Sequence, residues 1–202
     1  MKTLSCVCLP DRESASVIKK ISQNISRECR SGNALKFIPH FTLRGDFKIP
    51  DKNISGLKEQ IRRLSIGIKP FKLILNKYGF YPWRIIFLEI EKNDQLQKLH
   101  NWCLKIIEKY RTSWVPENYL NNNHFTGKQK EYSLKYGYHF CLEFFSPHFT
   151  IAGNDMTETA FQQIKEKLEK KRENIGVEVK QLAFFDRKMG NQIFFKTLLG
   201  KD

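Results

Sequence analysis

The stretch His40-Phe41-Thr42-Leu43-Arg44-Gly45 returns 108 residues later as His148-Phe149-Thr150-Ile151-Ala152-Gly153. A proline precedes each copy, Pro39 in one and Pro147 in the other. The likeness continues outward. Behind the first copy, Ile54, Leu57 and Ile61 recur at helical spacing; behind the second, Phe161, Ile164 and Leu168 do so at an offset of 107. Strand-like runs follow, Gly67 to Leu75 and Gly176 to Phe185. Each then turns into a second strand, through Ile85-Ile86-Phe87 and Ile193-Phe194-Phe195. Each half therefore reads strand–helix–strand–strand, over about 36–92 and 144–199. The expectation is a single catalytic domain over residues 1–202, its two halves sharing a cleft.

The remaining segments fit around this duplication. Residues 3–9 predict a strand. Residues 12–30 predict a helix with Ile18, Ile21, Ile25 and Cys29 on one face. Asp94 is placed to cap a third helix that buries Leu96, Leu99, Cys103, Ile106 and Tyr110. His100 lies on that helix beside polar residues and reads as solvated. Residues 112–138 hold Pro116, three consecutive Asn, Gly127 and Gly137, and read as a long surface loop. A third triplet, His124-Phe125-Thr126, falls in this loop without an apolar fourth residue and reads as a chance match.

The 202 residues carry 35 Lys and Arg against 21 Asp and Glu, a net charge of +14, which suits a polyanionic partner. The excess is uneven: residues 1–75 hold 15 basic and 6 acidic side chains. No run of about 18 apolar residues exists to span a bilayer. The apolar start stops at Asp11-Arg12-Glu13, too soon for a signal peptide. Five cysteines without a CxxC pair indicate neither a disulfide framework nor a zinc ribbon, so the expected setting is cytoplasmic. Paired carboxylates, a Gly-rich phosphate loop and a nucleophile elbow are absent, and no metal or cofactor is called for. The expected partner is a nucleotide or RNA-end phosphodiester, handled by a monomer with no membrane and no obligate protein partner.

Strand alternation puts His40 and Thr42 on one face and Phe41 and Leu43 on the other, with the same split for His148 and Thr150. Across a shared cleft this gives two imidazoles and two hydroxyls. One neutral imidazole can take a proton from water while one imidazolium gives a proton to a leaving alkoxide. The hydroxyls can hold phosphate oxygens as charge builds. The same alternation sends Arg44 toward the cleft, where it could hold a second phosphate, so Arg44→Ala should weaken binding and spare the fold. His139 could line the cleft as well.

Two His-x-Thr-apolar motifs about a hundred residues apart resemble the two-histidine phosphoesterase superfamily, which includes cyclic phosphodiesterases and RNA ligase-like proteins. The run Leu9-Pro10-Asp11, a helix, and Phe37-Ile38-Pro39-His40 look most similar to the plant and yeast cyclic phosphodiesterase branch. The resemblance implies a bilobal α+β fold, with antiparallel sheets around a central cleft and helices outside. It implies metal-independent hydrolysis of a 2′,3′-cyclic phosphate or a related cyclic or 2′-5′ phosphodiester. His40 and His148 would be catalytic, and Thr42 and Thr150 would bind phosphate. Related possibilities are 2′-5′ RNA ligation or RNA processing, a nucleotide-messenger substrate, or a non-catalytic RNA-binding module. Members often stack the base on aromatic residues beside the motifs, but here Val7, Cys8 and Ala152-Gly153 hold those places. The substitutes on offer are Tyr78, Phe80, Tyr81 and Trp83 at the first hairpin, and Tyr136 and Tyr138 in the loop.

Overall fold

A computed structural model describes residues 1–120, 125 and 127–201. The chain runs β1 (Lys2–Pro10), α1 (Arg12–Cys29), β2 (Phe41–Ile49), α2 (Ile54–Ile66), β3 (Phe71–Tyr81), β4 (Ile85–Ile90), α3 (Asp94–Glu108), α4 (Glu117–Leu120), α5 (Gly127–Tyr136), β5 (His148–Ala152), α6 (Glu158–Glu169), β6 (Arg172–Asp186) and β7 (Gln192–Leu198). The fold is α+β. Its strands form one seven-stranded sheet in the order β2-β1-β6-β3-β4-β5, with β7 also on β6. Every pairing is antiparallel.

The strand–helix–strand–strand unit is present twice, as β2-α2-β3-β4 and β5-α6-β6-β7. Spatial order departs from chain order at one place. β4 lies between β3 and β5, next to the second His-Thr strand. β7 lies on the edge of β6 away from β1, because Gln181–Asp186 pair with both. The neighbour of the first His-Thr strand is therefore β1, from outside the repeat. In three dimensions β1 plays for β2 the part that β4 plays for β5.

That correspondence extends to a defect in register. Val7 pairs with Thr42 and Cys6 with Arg44, which leaves Leu43 as an extra residue. Phe87 pairs with Thr150 and Ile86 with Ala152, which leaves Ile151 extra. Each His-Thr strand thus bulges one residue after its threonine, and the bulge resets the alternation of everything beyond it.

The helices follow from apolar stripes and capped starts. Asp11 accepts hydrogen bonds from the Glu13 and Ser14 amides, and Thr157 from Ala160. The third helix is capped by Asn93, one residue before the expected Asp94. α1, α2, α3 and α6 bury Ile18, Leu57, Leu99 and Phe161 in one core, against Cys6, Cys8, Phe41 and Phe149 on the sheet. The opposite sheet face carries only a small apolar strip of Val7, Leu9, Ala183 and Phe185. Among the described residues no helix is long and apolar enough to cross a membrane.

Two expectations are corrected here. The segment 112–138 is not structureless: it contains α4 and α5. α5 buries only Tyr132 and Ser133, so its sequence carries almost no helical periodicity to detect. His100 is not solvated but fully buried. Its Nδ1 lies 2.7 Å from the Leu43 carbonyl, and its Nε2 accepts the Leu142 amide at 2.9 Å. The ring stacks on Phe145 with centroids 4.0 Å apart. The polar neighbours in sequence point elsewhere around the helix, while His100 serves the backbone of the bulge residue.

Candidate functional site

His40 sits just before β2 and His148 opens β5. Their rings are held in the same way. His40 Nδ1 lies 2.7 Å from the Ile38 carbonyl, and His148 Nδ1 lies 2.8 Å from the Ser146 carbonyl, two residues back in each case. A carbonyl can only accept, so each Nδ1 carries its hydrogen and each Nε2 is left as the working nitrogen. Phe185 braces the His40 ring edge-on, and Phe87 and Tyr81 brace His148.

The two histidines border one cavity of about 600 Å³ on the strip-bearing face of the sheet. Thr42 lines this cavity. Thr150 is exposed and lines a narrow adjoining pocket together with His40. Tyr81 and Trp83 stack at 4.7 Å on one wall of the main cavity, with Phe140 on the other side of Tyr81 at 5.7 Å. His139 lines the cavity too, packed at 3.9 Å on Phe125. Phe125 belongs to the triplet that reads as a chance match, yet it contributes to this wall; His124 and Thr126 lie outside the described residues. Of the other aromatic candidates Tyr138 lines the cavity, whereas Tyr78, Phe80 and Tyr136 do not. Tyr78 donates to Glu173, Phe80 packs on Phe161, and Tyr136 on Tyr132.

Arg44 requires a correction. The bulge at Leu43 turns it away from Thr42 and onto the helix side, where Ala152 sits in the second half. It is fully buried and makes no part of the cavity. Its guanidinium donates to the carbonyls of Gly45, Asp46 and Tyr136, and Glu108 lies 3.6 Å away. Burial lowers its pKa to about 10, so it is still charged at neutral pH. Arg44 ties the sheet edge to the end of α5.

A different arginine reaches the cavity. Arg187, in the turn between β6 and β7, lines it beside His40. Asp46, which also lines it, holds Arg187 Nε at 3.0 Å, and Asn191 takes Nη1. Nothing in the sequence separates Arg187 from the other turn cations; only the fold of β6 back onto β1 brings it there. Burial lowers the His40 pKa to about 4, with Arg187 and His148 pushing the same way against the Ile38 carbonyl. Burial lowers His148 as well, opposed by the Ser146 carbonyl and by Glu89. Both shifts favour the neutral imidazole. Among the described residues no cluster of three or more His, Cys, Asp or Glu is placed to hold a metal ion.

The sequence model described as "2'-5' RNA ligase superfamily" matches residues 10–191. A Staphylococcus saprophyticus protein described as "Putative phosphoesterase" is 27% identical over 143 residues, 70% of this chain and 67% of that one. One from Geobacillus kaustophilus is 34% identical over 64 residues, 31% of this chain. That match spans 37% of the Geobacillus protein. Among solved structures, Escherichia coli LigT complexed with NADP+ aligns with a TM-score of 0.59 at 14% identity, covering 99% of this chain and 98% of that one. LigT complexed with 3'-AMP aligns at 0.59 and 13%, covering 99% of each. At these identities the likeness is one of fold.

Proposed function

Because the chain belongs to the 2′-5′ RNA ligase superfamily, we propose that it hydrolyses a 2′,3′-cyclic phosphate, or a related cyclic or 2′-5′ phosphodiester, of a nucleotide or RNA end. The observation that carries this reading is the matched pair of histidines. Each is pinned through Nδ1 to the carbonyl two residues before it, and both border one cavity. A pair of imidazoles with fixed tautomers and working Nε2 atoms is suited to in-line displacement at phosphorus, one moving a proton from water and the other to the leaving oxygen. The Thr42 hydroxyl on the cavity, with Thr150 in the adjoining pocket, would hold nonbridging oxygens. The Tyr81–Trp83 stack gives a flat apolar surface on which a base can lie. The solved LigT complexes with NADP+ and 3'-AMP support a nucleotide as the class of ligand.

The test is turnover in EDTA of 2′,3′-cyclic mononucleotides, ADP-ribose cyclic phosphate, 2′-5′ oligoadenylate, cyclic dinucleotides and RNA ending in a 2′,3′-cyclic phosphate. The wild-type protein is expected to hydrolyse at least one. His40→Ala and His148→Ala should each reduce kcat by about 10²–10⁴-fold, the usual worth of positioned acid–base catalysis. Turnover that survives both substitutions, or that needs an added divalent metal, would overturn the proposal. Joining of RNA ends without hydrolysis would reassign the site to ligation. Binding of RNA without turnover would reassign it to a binding module.

A further inference from the structure

The glycine that closes each copy of the repeat lies under a segment from elsewhere. A Cβ on Gly45 would come within 2.5 Å of the Tyr138 ring, and one on Gly153 within 2.7 Å of Asn33 Cβ. At Gly153 the approach is also hydrogen-bonded. Ser31, buried just past the end of α1, accepts the Gly153 amide at 3.0 Å and donates to Asp155 at 2.5 Å. Asp155 in turn accepts the Gly32 and Asn33 amides at 2.7 and 3.0 Å. Asn154, which lines the main cavity, accepts from Asn33 Nδ2 at 3.4 Å. α1 is fixed to the same strand from its middle, where Ser22 donates to the carbonyl of the bulge residue Ile151 at 2.5 Å. The first half has no counterpart to the carboxylate: at the offset of 108, Phe47 stands where Asp155 does and is buried in the core.

The residues held in this way lead directly to His40. Gly32 and Asn33 open into a 3₁₀ turn, Ala34–Lys36, and the chain then runs through Phe37, Ile38 and Pro39 to the histidine. Ala34, Leu35 and Phe37 wall the narrow pocket on which His40 and Thr150 meet. We propose that Asp155 and Ser31 are positioning residues, which set His40 against Thr150 by latching the 31–39 segment onto the end of β5. This rests on the phosphodiesterase reading above and adds what fixes one histidine relative to the hydroxyl of the other half. The latch acts on position more than on stability. Asp155 is exposed, so water can take over the Gly32 and Asn33 amides once the carboxylate is gone. Water satisfies those donors but does not fix where the segment lies. A catalytic group displaced by about 1 Å can lose on the order of 10²-fold in rate.

Kinetics of variants whose circular dichroism matches wild type test this, on a substrate the wild type turns over. Asp155→Ala should lower kcat by about 10–10²-fold with KM within about threefold. Asp155→Asn keeps an acceptor oxygen for the two amides and should recover most of that loss. Gly153→Ala leaves the carboxylate in place but drives its Cβ against Asn33, and should lower kcat as Asp155→Ala does. In a His40→Ala background, Asp155→Ala should cost no more than about threefold further. Unchanged kcat in Asp155→Ala, an undiminished loss in the His40→Ala background, or a change in KM alone would overturn the proposal. A second measurement needs no turnover. The Gly32, Asn33 and Gly153 amides should exchange slowly with deuterium in wild type. Asp155→Ala should speed all three and shift the His40 ring signals in NMR, while those of the buried His100 stay in place. Unmoved His40 signals would overturn the latch as well. A wild-type protein inert on every substrate would end the phosphodiesterase reading, and the ring shift would still decide whether the latch holds His40.

Discussion

Arg44 stands two residues beyond Thr42 in sequence, but its charge is spent on backbone carbonyls behind the sheet. Arg187 lies in a distant turn and takes the cavity position that alternation gives to Arg44. The difference is one bulge residue, Leu43, whose insertion sends the next side chain to the other face. Arg44→Ala is therefore expected to act on stability. It removes a buried cation and leaves the Gly45, Asp46 and Tyr136 carbonyls and the Glu108 carboxylate without it. Breaking a buried charged network of this kind costs about 3–5 kcal/mol. Urea unfolding of Arg44→Ala should show a loss of that order at unchanged m-value. A variant as stable as wild type, with only KM raised, would return Arg44 to the substrate.

The bulge in β2 carries an obligation that α3 meets. His100 donates through Nδ1 to the Leu43 carbonyl and accepts the Leu142 amide at Nε2, so one ring satisfies two backbone groups that the ladder does not. His100→Ala should leave both unpaired, at about 1–3 kcal/mol each, with a cavity beside Phe145 in addition. His100→Ala should lower the urea midpoint accordingly, and a midpoint equal to wild type would mean that water replaces the ring. How far the elements were readable follows from the same particulars. The periodicity of Leu57, Ile61, Phe161 and Ile164, together with the repeated His-Phe-Thr strands, exposed the strand–helix–strand–strand order, because apolar spacing within one element reports its own buried face. The bulges are not encoded in either strand alone, because they are properties of strand pairs. Leu43 is extra only relative to Cys6 and Val7, and Ile151 only relative to Ile86 and Phe87. The place of β1 beside β2 was hidden for the same reason. Alternation brings His40, Thr42 and His148 to the cavity because they precede the bulges; Thr150 precedes its bulge too but lines the adjoining pocket, Arg44 lies past a bulge, and Arg187 arrives by a long-range turn.

At the scale of the whole molecule, burial and net charge act together on its response to solution conditions. His40, His100 and His139 are each lowered to about 4, chiefly by burial, so the folded chain holds them neutral while the unfolded chain protonates them near their ordinary pKa of ~6.5. Between those values the unfolded state binds more protons, so stability is full above ~6.5 and falls as pH drops toward 4. Urea midpoints measured at pH 7, 5.5 and 4.5 should decrease in that order, and a flat series would show that the three rings titrate normally in the fold. The net charge of +14 adds to this decline, since carboxylate protonation at low pH raises the self-repulsion of the compact chain and unfolding relieves it. The same charge bears on association. Lys19 of α1 lies in the pocket that holds His40 and Thr150, and Arg187 lies in the main cavity, so part of the excess faces the route an anionic substrate would take. Attraction over that range is screened at a Debye length of ~10 Å in 0.1 M salt. If an RNA end is the substrate, several of its phosphates meet the field at once and each exchanges counterions on binding. The logarithm of kcat/KM should then fall with the logarithm of salt concentration, more steeply for RNA ending in a cyclic phosphate than for a cyclic mononucleotide. Equal slopes would mean that only the scissile phosphate is felt, and that the remaining positive charge serves solubility alone.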